Sequence, residues 1–165
     1  MKPIRMLRHL LLPDWFVGRV FPRGDLAAIG DAIAAGEKSH RGELRFVVEA
    51  AMPLAALWRD QSPRARAVDL FSTLRVWDTA ENSGILIYVQ LVEHRVEILA
   101  DRGIAARVPQ AEWDAICRAM EASFRGGEWR RGALRAVARA GALLASHFPA
   151  RNHNPNELPD QPLVL

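Results

Sequence analysis

A single cysteine, five scattered histidines and the absence of any long apolar run set the first limits on this 165-residue chain. Cys117 has no second cysteine for an internal disulfide, so stability does not rest on an oxidising compartment. It falls in a helical apolar pattern with no histidine nearby in sequence, which places it in a core rather than among nucleophiles. His9, His40, His94, His147 and His153 lie in termini and turns, and their spacing fits neither a zinc site nor a catalytic triad. The apolar stretch Leu10 to Leu12 stops at Pro13-Asp14, too short for a signal h-region or a spanning helix. The expectation is therefore a mature protein beginning at this N-terminus, located in the cytoplasm or peripherally on the inner face of a membrane. Also missing are a cysteine-arginine phosphate loop, a phosphoaspartate DxDx motif, EF-hand spacing, an internal repeat and a recognisable nucleic-acid module.

Half the residues are apolar and a quarter are charged, the balance of one ordinary domain able to bury a single core. The net charge of +3 comes mostly from arginine and permits an acidic partner without requiring one. Residues 1–24 mix Arg5, Arg8 and Arg19 with Leu7, Leu11, Trp15 and Phe16. This basic amphipathic segment either lies on a membrane or partner, or covers the domain with Leu11, Trp15, Phe16 and Phe21. A first helix is expected from Asp25, as N-cap, to about His40, before the stop Arg41-Gly42. Alternation over Glu43 to Ala50 predicts a strand with one polar edge or face. Pro53 to Trp58 and a longer segment from Ser62-Pro63 read as helices, so the next strand follows a helical crossover and should pair in parallel with the first.

That next strand is the strongest signal in the chain. Ile85 to Val89 is continuously apolar and follows the turn Ser83-Gly84, which marks a central strand covered on both faces. A polar break at Glu93-His94-Arg95 and a second strand through Val96, Ile98 and Ala100 complete a hairpin. Helices from Pro109 to Arg125 and from Trp129 to Phe148 follow, then a tail from Ala150 to Leu165 whose proline and asparagine content predicts disorder. The fold class is α/β: a small mixed sheet, one βαβ crossover plus a β-hairpin, sandwiched between helices. The domain itself is expected to span residues 25–149.

The hairpin's open end should gather Asp78, Glu81 and Asn82 from one loop with Asp101 and Arg102 from the other. Three readings attach to these groups: turn and cap formation, a Ca²⁺ or Mg²⁺ site built from hard oxygen ligands, and catalysis. Glu97 with Arg45 is a candidate cross-strand ion pair. Arg131, Arg135 and Arg139 recur every four residues, making a stripe the core cannot accept. That stripe is either a solvated helix face or, with Arg102 as a further partner- or anion-binding candidate, a surface for anionic phospholipid or an acidic protein; nucleic acid is not expected.

Taken in order, Gly42-Glu43-Leu44-Arg45, Trp77-Asp78, Asn82-Ser83-Gly84-Ile85-Leu86-Ile87-Tyr88, Arg95-Val96-Glu97-Ile98, Asp101-Arg102-Gly103, Phe124-Arg125 and Gly132 form a pattern resembling the TPM domain. That family is named after a thylakoid-lumen phosphatase, a photosystem II repair protein and a modulator of acetylcholine receptors. The resemblance runs over roughly residues 25 to 148, and after Gly103 this chain reads IAARVPQAEWD where many relatives carry a further acidic pair. It implies a three-layer αβα fold and an accessory or interaction module acting with a membrane-associated partner. It also favours a divalent cation at Asp78, Glu81, Asn82 and Asp101, with a cation-dependent phosphatase as the alternative.

Overall fold

The computed structural model describes residues 3–13, 15–151 and 155–165. Met1, Lys2, Asp14 and residues 152–154, which include His153 and part of the expected disordered tail, lie outside the described residues. Around Ile85, sequence and structure agree closely. Strand β1 (Leu44–Glu49) pairs in parallel with β2 (Ile85–Gln90), which turns back into antiparallel β3 (Arg95–Ala100). The crossover between the parallel strands carries α4 (Leu54–Trp58) and α5 (Pro63–Thr73). Ser62 caps α5 by accepting the Ala65 amide at 3.1 Å, with Pro63 in the first turn, as the Ser-Pro pair predicts.

One face of the sheet presents Phe46, Val48, Ile85, Ile87, Val89 and Ile98 to a core shared with the helices α3 (Arg23–Gly36), α7 (Gln110–Arg125) and α8 (Trp129–His147). The other face buries Val47, Leu86 and Tyr88 beneath Ala67 and Leu70 of α5. The result is three layers, with β2 buried on both sides over all six residues. Phe21 lies edge-on to Phe46, Phe124 and Trp129, tying the N-terminal segment into the main core. Val17 and Val20 of α2 (Trp15–Val20) are buried with it, whereas Leu11 and Trp15 point outward. The covering role expected of that segment therefore falls to Phe21, with Phe16 partly packed on the same core.

Several expectations are corrected. Helix α3 starts at Arg23 behind Pro22, and Asp25 sits in the first turn instead of capping it. There its charge still favours the helix N-terminus and faces Arg130 at 3.7 Å. The helix stops at Gly36, because His40 is drawn into a bridge with Pro149 while Arg41 donates its amide to Phe148. Strand β1 has no solvent-facing side; all six of its residues are buried. Arg45 does not meet Glu97, since β2 lies between their strands; Glu97 faces Arg64 at 3.5 Å.

The tail is the largest departure. Residues 163–164 form β4 (Leu163–Val164), which pairs in parallel with Val47 and Val48 to give the order β3-β2-β1-β4. Its hold comes from side chains of β1 as much as from the ladder. Arg45 donates to the carbonyls of Pro159 and Gln161, both at 2.6 Å, and Glu43 accepts the amides of Glu157 and Leu158 at 3.2 and 3.1 Å. Leu158 adds an apolar contact to the α5-side core.

Candidate functional site

The two loops at the hairpin's open end meet, as the strand pairing requires. Asp101 donates its amide to the Gly84 carbonyl at 2.8 Å, and the Asn82 carbonyl accepts from Gly103 at 2.9 Å. Asn82 adopts a left-handed backbone with φ 51°, a conformation asparagine tolerates better than most residues. Two glycines make the approach feasible. A Cβ on Gly84 would stand 1.9 Å from the Val76 carbonyl oxygen, and one on Gly103 would stand 2.5 Å from that of Glu81.

The side chains are less concentrated than the backbone. Asp101 uses Oδ1 to cap the short helix α6 (Arg102–Ala105), accepting the Arg102 amide at 2.7 Å. Arg102 then reaches back, its Nε donating to Asn82 Oδ1 at 3.0 Å. Glu81 pairs with Arg41 and lies 3.6 Å from Arg151, while Asp78 faces Arg75 at 3.7 Å. The structure thus joins Asn82, Asp101 and Arg102 directly, sets Glu81 beside them, and leaves Asp78 half-exposed in the same loop. Among the described residues, no group of three or more His, Cys, Asp or Glu side chains could hold a metal ion. Asp101 Oδ2 and Ser83 Oγ are nevertheless buried without a hydrogen-bond partner, and both are hard oxygens at this rim. That much fits a divalent cation; a cage in which Asp78, Glu81, Asn82 and Asp101 all converge does not.

Sequence reasoning missed three further polar constellations. Glu49, buried at the end of β1, accepts from Tyr88 at 2.5 Å and from Arg66 at 2.6 and 3.1 Å. Burial and the Glu49 charge push the Tyr88 phenol well up, so it remains a donor. Glu37 and Glu43 lie near Asp160 of the tail. Burial first, then these like charges, raise Glu37 to about 8, and burial raises Glu43 to about 7 against the opposing amide hydrogen bonds.

The third is helix α1 (Pro3–Leu11), which is inside out. Arg5 and His9 face the domain: Arg5 Nε donates to Glu93 at 2.7 Å, and His9 Nδ1 accepts the Met52 amide at 3.0 Å, leaving Nε2 for Glu93 at 3.1 Å. Ile4, Leu7, Leu10 and Leu11 face outward, Leu11 at 71% exposure. Cys117 belongs with none of these sites; burial pushes its thiol up to about 12, as suits a packed residue.

Of the arginine stripe on α8, Arg139 pairs with Glu112 of α7 at 2.7 Å and Arg131 with Glu128 at 2.8 Å. Arg135 has no carboxylate partner among the described residues. Arg102 lies elsewhere, at the hairpin rim.

The rim motif, the parallel pair, α7 and most of α8 fall inside a single profile, described as the TPM domain, which matches residues 18–143. The chain belongs to the TPM domain family. Among solved structures it is similar to the BA42 protein of the psychrophilic bacterium Bizionia argentinensis, determined by NMR. The two are 30% identical with a TM-score of 0.73, over 86% of this chain and 93% of that one. The N-terminal domain of a P. gingivalis protein shares the fold at a TM-score of 0.64 and 16% identity, over 86% and 95% of the two chains. No curated protein matches. Among the described residues of this TPM domain, no helix is long and apolar enough to cross a membrane.

Proposed function

We propose that this TPM domain is an accessory module that docks on the anionic surface of a membrane, beside a membrane-associated partner and on its cytoplasmic side. The observation that carries the reading is the inversion of α1. A helix lying on a globular domain normally turns its apolar stripe inward. Here the inward face is held by Arg5 and His9, and the stripe Ile4, Leu7 and Leu11 is left to the outside. Trp15 extends the stripe, and Arg8 and Arg19 are exposed beside it, the composition of an interfacial helix.

The test is flotation with vesicles of phosphatidylcholine doped with phosphatidylglycerol. The intact chain should float, and Leu7→Glu/Leu11→Glu should stay behind. Each leucine contributes about 1.5–3 kcal/mol when taken out of water, or roughly a 10- to 150-fold change in partitioning apiece. Equal flotation of chain and variant, or none of either, ends this reading.

A second reading is favoured by the unpartnered Asp101 Oδ2 and Ser83 Oγ. A Ca²⁺ or Mg²⁺ ion taken up there would use Asp101, Asn82 and Glu81, with Asp78 as an outer charge. Binding to the folded state alone raises the thermal midpoint. Millimolar Ca²⁺ or Mg²⁺ should then raise it for the natural chain and not for Asp101→Asn, which keeps a capping oxygen. An unmoved midpoint removes the cation reading. It removes with it a cation-dependent phosphatase, which would otherwise show as Mg²⁺-dependent ester hydrolysis absent from Asp101→Asn.

A further inference from the structure

Two hollows on the α8 side of the domain share one residue, Arg135. The first, about 420 Å³, is a trough between α7 and α8 with Ile116, Ala119, Met120 and Ala136 along it. The second, about 640 Å³, opens where α2 runs into α3 beside the start of α8, and four arginines line it: Arg19, Arg130, Arg131 and Arg135. Its acidic residues are already engaged, Asp25 facing Arg130 at 3.7 Å and Glu128 accepting from Arg131 at 2.8 Å. Arg19 and Arg135 have no carboxylate partner among the described residues. An apolar trough therefore leads to two guanidinium groups whose charge nothing in the described structure balances.

We propose that the two hollows form one binding site for a single anionic glycerophospholipid, its phosphate between Arg19 and Arg135 and one acyl chain in the α7–α8 trough. Guanidinium groups match phosphate oxygens in geometry as well as charge. The trough favours an alkyl chain over an acidic peptide. A peptide laid there would bury amides with few groups to satisfy them, since the polar pair Glu112 and Arg139 is already bonded to itself at 2.7 Å. A hydrocarbon makes no such demand. Trp15 and Arg19 are one helical turn apart on α2, so an exposed indole lies on the same helix face as an arginine of the hollow. The site deepens the membrane reading by naming the lipid class, and a lipid molecule in solution tests it without a bilayer.

The probe is dihexanoyl phosphatidic acid below its micellar concentration, titrated calorimetrically into the full chain, with inorganic phosphate, dihexanoyl phosphatidylcholine and an acidic peptide as comparisons. Phosphatidic acid should bind most tightly. Arg135→Glu should weaken it by roughly tenfold or more, the scale of a lost charged hydrogen bond. Ala119→Trp, at an exposed position on the trough wall, should bring the lipid down to the affinity of inorganic phosphate. Leu7→Glu/Leu11→Glu should bind the soluble lipid unchanged, so loss of flotation in that variant and loss of lipid binding here remain separate results. The proposal is overturned by equal affinity for phosphate and lipid in the natural chain, by tighter binding of the peptide, by no lipid binding, or by indifference to Arg135→Glu in a variant whose thermal melt is normal.

Discussion

Arg66→Met is expected to destabilise the domain by about 3–5 kcal/mol, the scale on which removing one member of a buried ion pair strands the other. Glu49 is 1% exposed, and its carboxylate is satisfied by Arg66 and Tyr88 together. Methionine keeps most of the aliphatic stem and takes away the guanidinium bonds, so the loss reports on charge and not on a cavity. Tyr88→Phe should cost less, about 1–3 kcal/mol, because Arg66 still neutralises Glu49. The informative variant is the double change Glu49→Leu/Arg66→Met, expected to recover most of the loss, since replacing both partners by apolar groups removes the stranded charge. Urea denaturation of the four members of the cycle measures the coupling directly. A loss under about 1 kcal/mol for Arg66→Met alone would falsify the view that Glu49 depends on this pair.

The same triad shows where sequence reading stops. Ile85 to Val89 could be recognised as a doubly covered strand because five apolar residues in a row leave no face for water. The parallel pairing with β1 followed from the helical crossover, and the hairpin from the polar break at Glu93-His94-Arg95. Glu43, Arg45 and Glu49, however, alternate with apolar residues in the way a solvated face does. What buries them is remote: Glu157 and Leu158 for Glu43, Pro159 and Gln161 for Arg45, Arg66 for Glu49. Period-2 patterning reports which side chains share a face, and it is silent on what arrives later to cover them.

The candidate sites divide along the same line. That loops 78–82 and 101–103 would meet was legible, because antiparallel pairing leaves no other arrangement. That Arg102 would sit at this rim was legible too, but that Arg41, Arg75 and Arg151 would interleave with the acids was not, since Arg41 and Arg151 come from other segments. Helix α1 makes the point from the other side. Its pattern is amphipathic on paper, but only the positions of Glu93 and the Met52 amide show that the polar face is the inner one. The arginine stripe of α8 likewise looks uniform in sequence, whereas Glu128 and Glu112 take Arg131 and Arg139 and leave Arg135 between the two hollows.

The tail supplies the second large effect, and it depends on pH. Deleting residues 157–165 removes two amide donors from Glu43 and two carbonyl acceptors from Arg45, and it uncovers the β1 edge where Ala50 and Leu165 are bonded at 3.1 Å. Hydrogen bonds to charged groups contribute about 1.5–3 kcal/mol each, so a total loss of about 3 kcal/mol or more is expected, together with a tendency of the bare edge to self-associate. The intact tail should also loosen as pH rises. Glu37, raised to about 8, and Glu43, raised to about 7, both sit above the ordinary value of 4.5. The charged groups acting on them are Glu43 on Glu37, Glu157 on Glu43 and Asp160 on both, with Arg45 set against Asp160. A folded-state pKa above the unfolded one means that the folded protein holds the extra protons. Their contribution is fully present below about pH 4.5 and is lost as pH climbs through 7 to 8. Stability should therefore fall by about 2–4 kcal/mol between pH 5 and pH 8, the reverse of the usual rise through neutrality. Glu37→Gln, which carries no charge to lose, should flatten that slope and raise the midpoint at pH 8. Thermal melts across this range decide the matter: a midpoint that rises from pH 5 to 8, or a profile identical in Glu37→Gln, shows that the Glu37, Glu43 and Asp160 charges do not oppose tail docking.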